Sequence, residues 1–351
     1  MRTEDDGSVI PVFDGHNDVL GRAFENATYD FIEGNDTYHL DLAGAQEGGF
    51  AGGLFAIFVP PNSAENKRSR SFGNDLSTPG TVSVSRAQQV AAAMFSQLRR
   101  YIERSDGTLY LARTAAEVRR ALHGGAVAAV CHMEGAEAID EKLHALDLYY
   151  EAGLRSLGIT WSRSNRFACG VPFGFDRTPD IGPGLTRRGK DLIRRCNELG
   201  VMVDVSHLNA KGFWDVAHVS NAPLVASHSN VWNISRSTRN LTDDQLAAIR
   251  DTDGLVGVNF GVQYLRPDGH ATTDTPLARI KDHVDYLAER IGITRIGLGS
   301  DFDGVEIPRD IGSARGLPRL LRAFSEWGYS DDEIRGIAHE NWLRVLERTW
   351  R

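Results

Sequence analysis

Eight short runs rich in Val, Ile, Leu, Phe and Gly punctuate the chain, near residues 10–13, 53–59, 125–131, 154–160, 201–206, 223–227, 255–260 and 295–299. Between most of them the apolar positions switch to three- and four-residue spacing. That spacing predicts helices over Arg86–Arg104, Ala115–Leu122, Leu143–Ala152, Arg188–Leu199 and Leu277–Ile291. Thr186 and Thr242 stand where N-caps belong, and Gly200 follows Leu199 as a natural helix stop. Apolar runs alternating with amphipathic helices describe βα units and a parallel sheet. Eight units predict an α/β fold of the (β/α)8 TIM barrel type, one domain over residues 1–351. The polar stretch from Pro60 to Ser83 is long for a βα connection and reads as a surface excursion.

Composition narrows the partners. With 351 residues, 41% of them hydrophobic, the chain has ample material for a core. A formal net charge of -8 argues against a nucleic-acid or acidic-membrane surface, which needs clustered Lys and Arg, and favours a small-molecule substrate. Cys131, Cys169 and Cys196 are too few and too scattered for a disulfide framework, so a reduced state is expected. No apolar run approaches membrane-spanning length, and MRTEDDGSV lacks the order of a signal peptide. The expected compartment is the cytoplasm, and the sequons at Asn26, Asn35, Asn233 and Asn240 then carry no meaning. A homodimer is compatible with all of this.

Chemistry gathers at the ends of the apolar runs. His16 and Asp18 follow VIPVFDG, Glu134 follows AVAAVCHM, His207 ends VMVDVSH, His228 follows PLVAS, and Asp301 follows RIGLGS. In a parallel barrel these ends share one mouth, where active sites of that fold are built. Taken singly, each histidine reads first as a satisfied core side chain. The repetition points to metal instead, because imidazoles and carboxylates are costly to bury without a partner. His16 and Asp18, two residues apart in extended backbone, can reach one ion. Glu134, with two oxygens, can bridge two cations, and His207 with His228 completes a second site. Five N and O ligands without thiolate suit zinc, with manganese or cobalt possible in vitro. His132 lies beside Glu134, and because neighbouring strand positions alternate faces it is assigned to packing. The near-P-loop GLTRRGKD carries Asp191 where a hydroxyl should hold magnesium, so it reads as a helix N-terminus.

The segments FDGHND, CHMEG, GLTRRGKDLIRRCNELGVMVDVSHLN, VASHSN, SRSTRNLTDDQL, VNF and GSDFDG, in this order, resemble the membrane (renal) dipeptidase family. That family is a branch of the amidohydrolase superfamily of zinc-dependent barrels, and the similarity runs from about Val12 to the C-terminus. The resemblance implies two Zn2+ per chain, one on His16 and Asp18, the other on His207 and His228, with Glu134 bridging. It also implies that Arg239 takes the C-terminal carboxylate of a dipeptide, that Asp301 shuttles the proton and that Tyr264 lies near bound substrate. In one place the chain departs from the family. Where members often carry a histidine after the fourth strand that contacts the substrate carbonyl, LRSLGITWSRSNRFACG offers Trp161, with Arg163, Asn165 and Arg166 nearby.

The expected activity is therefore hydrolysis of L-Xaa-L-Xaa or L-Xaa-D-Xaa dipeptides by a metal-bridging hydroxide. Trp161 leaves open an alternative, a binuclear-metal amidohydrolase acting on another small amide or lactone. A binding protein that has lost turnover is disfavoured, because it has no need of Asp301.

Overall fold

The computed structural model describes residues 9–34, 37–61 and 80–351. Among them are nine strands: β1 (Val12–Asn17), β2 (Phe50–Phe58), β3 (Leu109–Leu111), β4 (Val127–Glu134), β5 (Leu154–Gly158), β6 (Met202–Asp204), β7 (Val225–Ala226), β8 (Leu255–Val258) and β9 (Ile296–Leu298). All pairings between them are parallel, and β1 pairs both β2 and β9 while β2 pairs β4. The sheet thus closes on itself through β1, β2, β4, β5, β6, β7, β8 and β9. The expected (β/α)8 barrel is what forms. β3 lies outside the ring and pairs Val127–Ala129 of β4, whereas β5 pairs its later residues from Cys131 to Glu134.

Period-two alternation sorts the side chains into two apolar layers. Phe13, Val130, Met202, Val225 and Leu255 pack in one cluster with Trp342, while their neighbours Val12, Cys131, Val203, Ala226 and Val256 pack in the other, which includes the surrounding helices. The Trp342 indole donates from Nε1 to the carbonyl of Leu298 at 2.9 Å. It fits because Gly15 and Gly297 carry no side chain: a Cβ there would stand 2.5 and 2.4 Å from the indole.

The helices begin and end where their terminal residues dictate. Helix Arg187–Leu199 starts at Thr186, whose hydroxyl accepts from the Gly189 amide, and stops at left-handed Gly200. The P-loop-like segment is indeed a helix N-terminus. Thr242 and Gln245 form a capping box before helix Asp243–Asp251. The helices expected from spacing all occur, as Val84–Arg104, Ala115–Gly124, His144–Ala152, Arg187–Leu199 and Ala278–Ile291. Most of the stretch from Pro60 to Ser83, read as a surface excursion, lies outside the described residues, as do the sequon asparagine Asn35 and the first eight residues.

Candidate functional site

The strand ends do converge. His16 and Glu134 are the penultimate and final parts of β1 and β4, His207 and His228 lie three and two residues beyond β6 and β7, and Asp301 lies three beyond β9. Glu134 is the hub. Its Oε1 lies 3.0 Å from His207 Nε2 and 3.7 Å from His228 Nε2, whereas its Oε2 lies 3.9 Å from His16 Nε2. His16 Nε2 is in turn 3.5 Å from Asp18 Oδ2, and Asp18, His16 and Asp301 present ligand atoms within 4.8 Å of one another. The same holds for His16, Glu134 and His228. Asp18, which follows β1 directly, is the most accessible of the five proposed ligands.

The histidines are aimed by their other ring nitrogen. Ser227 Oγ donates to Asp204 Oδ2 at 2.5 Å, so at 2.8 Å it accepts from His228 Nδ1 and leaves the Nε2 lone pair facing the site. Ser162 Oγ lies 2.8 Å from His207 Nδ1, and the two Nε2 atoms stand 3.0 Å apart. His207 itself sits at φ 63°, one of three non-glycine residues at this mouth, with Asp301 (60°) and Asp303 (69°), in the left-handed region. Strain of this kind collects at functional sites.

Electrostatics point to a cation. Burial pushes His207 and His228 well below the ordinary imidazole range, with Arg239 and His16 adding to the effect, which favours neutral rings with a lone pair to offer a cation. Burial likewise drives Glu134 well above the carboxylate range. For His16 burial opposes charge, but Glu134 and Asp18 outweigh it and lift the ring to about 10. Both ring nitrogens of His16 are buried without a hydrogen-bond partner. Buried carboxylates and imidazole lone pairs that converge in this way fit a divalent metal, and the residues present suit it.

His132 corrects the sequence reading. It is two residues from Glu134, not one, so both side chains point the same way as Val130, into the barrel. Its ring meets that of His16 edge-on at 5.5 Å, and Nδ1 lies 2.8 Å from Ser156 Oγ. Positions i and i+2 of a strand share a face, which puts His132 on the side of Glu134 and not on the opposite one.

Asp301 is buried, accepts from Asn259 Nδ2 at 2.7 Å, and burial raises its pKa from the ordinary carboxylate value. The backbone before it is tied down by Asp14, which accepts from the Ser300 amide at 2.6 Å and its hydroxyl at 2.8 Å. Gly304 completes the turn, since a Cβ there would lie 2.3 Å from both Asp18 Oδ2 and Asp301 Oδ1. Arg239 is 4% exposed, donates from Nη2 to the His228 carbonyl at 3.2 Å and lies 5.8 Å from the Tyr264 ring. Its Nε has no partner, and among the described residues no carboxylate pairs with it.

A cavity of about 530 Å3 opens above these groups, lined by Asp18, Glu134, His207, Tyr264 and Asp301 and walled by Trp161, Phe58 and Phe173. The Trp161 ring stands 5.0 Å from Phe58, 5.4 Å from Phe173 and 6.0 Å from His207. Arg163 does not reach inward. It is buried against Glu137 at 2.9 Å and the Val59 carbonyl at 2.9 Å, while Asn165 bonds the Ile159 carbonyl. Arg22, Tyr38, His39 and Asp303 also line the cavity, and sequence reasoning missed them.

Residues 7–350 match the model of the membrane dipeptidase family, peptidase family M19. The chain belongs to the membrane dipeptidase family. A metallopeptidase from Rhodobacter sphaeroides, solved with a phosphinate mimic of the dipeptide L-Ala-D-Ala, is 46% identical and superposes with a TM-score of 0.95, covering 98% of this chain and 100% of that one. An uncharacterised protein in the pqqA 5' region of Klebsiella pneumoniae is 46% identical over 254 residues, 72% of this chain and 94% of its own. Dipeptidase verJ of Clonostachys rogersoniana is 29% identical over 346 residues, 96% of this chain and 84% of its own. Membership in the membrane dipeptidase family makes this chain a metal-dependent hydrolase acting on peptide bonds, as the ordered motifs imply. Among the described residues no helix is long and apolar enough to cross a membrane.

Proposed function

We propose that the chain hydrolyses dipeptides, L-Xaa-L-Xaa or L-Xaa-D-Xaa, at a centre of two zinc ions. The observation that carries this reading is the division of the Glu134 oxygens between two ligand groups, Oε1 toward His207 and His228 and Oε2 toward His16. His16 and Asp18 would hold one ion, His207 and His228 the other, with Glu134 common to both. A donor set of nitrogen and oxygen without sulfur suits zinc. When bound, such ions lower the pKa of water and polarise a carbonyl.

The protein's own residues supply the rest. Asp301, held by Asn259 and raised in pKa by burial, is suited to take the proton of the attacking water and return it to the leaving amine. Arg239 is a buried cation lacking an acidic partner among the described residues, an arrangement that costs several kcal/mol unless an anion arrives. The free carboxylate of a dipeptide is that anion, and a planar guanidinium suits it. Tyr264 packs against Arg239 and closes that end. Trp161 fills the wall, and its indole offers one N–H donor.

The dipeptide mimic bound by the Rhodobacter sphaeroides relative supports this substrate class. The test is a metal assay of the purified protein followed by a screen against L,L and L,D dipeptide libraries. Cleavage with zinc present and loss on chelation is the expected result. If the zinc-loaded protein cleaves no dipeptide, the reading fails and hydrolysis of another amide or lactone becomes the better account.

A further inference from the structure

One stretch of the cavity wall has no part in the chemistry assigned so far. It is built from Arg22, in helix Val19–Glu25, and from Tyr38 and His39 in the loop that follows.

His39 is fixed by a reciprocal pair of hydrogen bonds. Its amide donates to Asp303 Oδ1 at 2.7 Å, and the Asp303 amide donates to its Nδ1 at 3.0 Å. A ring nitrogen that accepts from a backbone amide carries a lone pair, so the ring proton sits on Nε2. Burial, with help from the charge of Arg22, pushes the ring down to about 4 and keeps it in that neutral form. Nε2 has no partner among the described residues, while the ring lines the cavity. His39 therefore presents a fixed N–H donor.

Arg22 adds charge to the same wall. Its one ionic contact among the described residues, Nη1 to Glu25 Oε2, is long at 4.0 Å and joins side chains that are 29% and 35% exposed. Nε is buried without a partner, and the guanidinium lies 5.9 Å from the Tyr38 ring centre. Five N–H groups in a planar fork suit an oxygen anion.

Carboxylates also line the cavity, and they decide whether this charge is cancelled. Asp18 is turned to His16, and Asp301 accepts from Asn259. Asp303 gives Oδ1 to the His39 amide, its Oδ2 is buried, and burial lifts the group to about 7 against the opposing pull of the His39 amide and of Arg22, so its charge offsets that of Arg22 only in part. Glu25 and Glu306 are exposed at the mouth, where solvent and salt screen them. Arg22 Nε and His39 Nε2 are thus the donors on this wall without a partner among the described residues.

We propose that Arg22 and His39 form a specificity subsite for a side-chain carboxylate, so that dipeptides containing Asp or Glu are preferred over their amide isosteres. This rests on the dipeptidase reading and names the substrate class within it.

The test compares kcat/KM for alanyl-alanine, alanyl-aspartate and aspartyl-alanine with the two asparagine analogues, in L,L and L,D forms, on the zinc-loaded protein. At least one aspartate dipeptide is expected to exceed its asparagine analogue by about ten-fold or more, as a charge-assisted contact gives. Arg22→Gln should collapse that ratio chiefly through KM, and Arg22→Lys should restore part of it. His39→Asn keeps an acceptor for the Asp303 amide but removes the Nε2 donor, and should lower the ratio less. An aspartate-to-asparagine ratio near one in wild type, or an Arg22→Gln loss equal on all substrates, overturns the subsite alone. Failure to cleave even alanyl-alanine or any other dipeptide overturns the dipeptidase reading and the subsite with it.

Discussion

Oε1 of Glu134 lies 3.0 Å from His207 Nε2, while the other oxygen of the same carboxylate is turned to His16. One side chain thus serves two ligand groups. Glu134→Gln should cost at least one of two ions, because an amide offers one weaker oxygen donor where the carboxylate offers two. Elemental analysis after reconstitution checks this, with two ions expected in wild type. One ion in fully reconstituted wild type removes the bridging assignment.

Asp301 is held at φ 60° by Asp14 through Ser300 and by Asn259, with a carboxylate oxygen in reach of His16 and Asp18. Asp301→Asn keeps the shape and loses the basic oxygen. Turnover should fall by about 100-fold or more with metal content near that of wild type. Turnover close to normal in a zinc-loaded variant is the result that defeats the proton shuttle.

What could be read from the chain beforehand follows from range. The barrel was legible because strand and helix periods are local, and the convergence of His16, Glu134, His207, His228 and Asp301 because each lies at or just beyond the end of an apolar run. The strands' limits were less so: β1 was expected at residues 10–13 and runs over Val12–Asn17, since Asp14, His16 and Asn17 are polar residues buried inside a strand. β3, the three residues LYL between Thr108 and Ala112, gave too short a signal to register. His39 was invisible for a different reason. Its place at the cavity depends on Asp303, 264 residues away, and it ends no apolar run. The orientation of Arg163 was equally unreadable, because its partner Glu137 lies in a turn of its own after β4.

Arg239 donates to the His228 carbonyl and to no acid among the described residues, so substrate is expected to supply the missing charge. Arg239→Ala should weaken a free dipeptide strongly and its C-terminally amidated form much less. The differential should be roughly 1.5–3 kcal/mol in kcat/KM, the value of a hydrogen bond to a charged group. Equal losses on both substrates would take Arg239 out of this role.

His16 gives the site a pH signature. In chelator-treated protein Glu134 and Asp18 overcome burial and raise its pKa from 6.5 to about 10. A folded-state value above the unfolded one stabilises the metal-free fold fully below pH 6.5, and that contribution is lost as pH rises through 10. A cation entering the site takes the proton's place, so binding should release about one proton per chain at pH 8 and apparent affinity should climb with pH across this window. Calorimetric titration of zinc in two buffers of different ionisation enthalpy measures the release directly. Thermal unfolding of stripped protein should also weaken from neutral pH upward, while the zinc-loaded protein lacks this component. Binding heats independent of buffer would show that His16 enters the metal-free site as a neutral ring, and the competition between proton and metal at His16 would have to be abandoned.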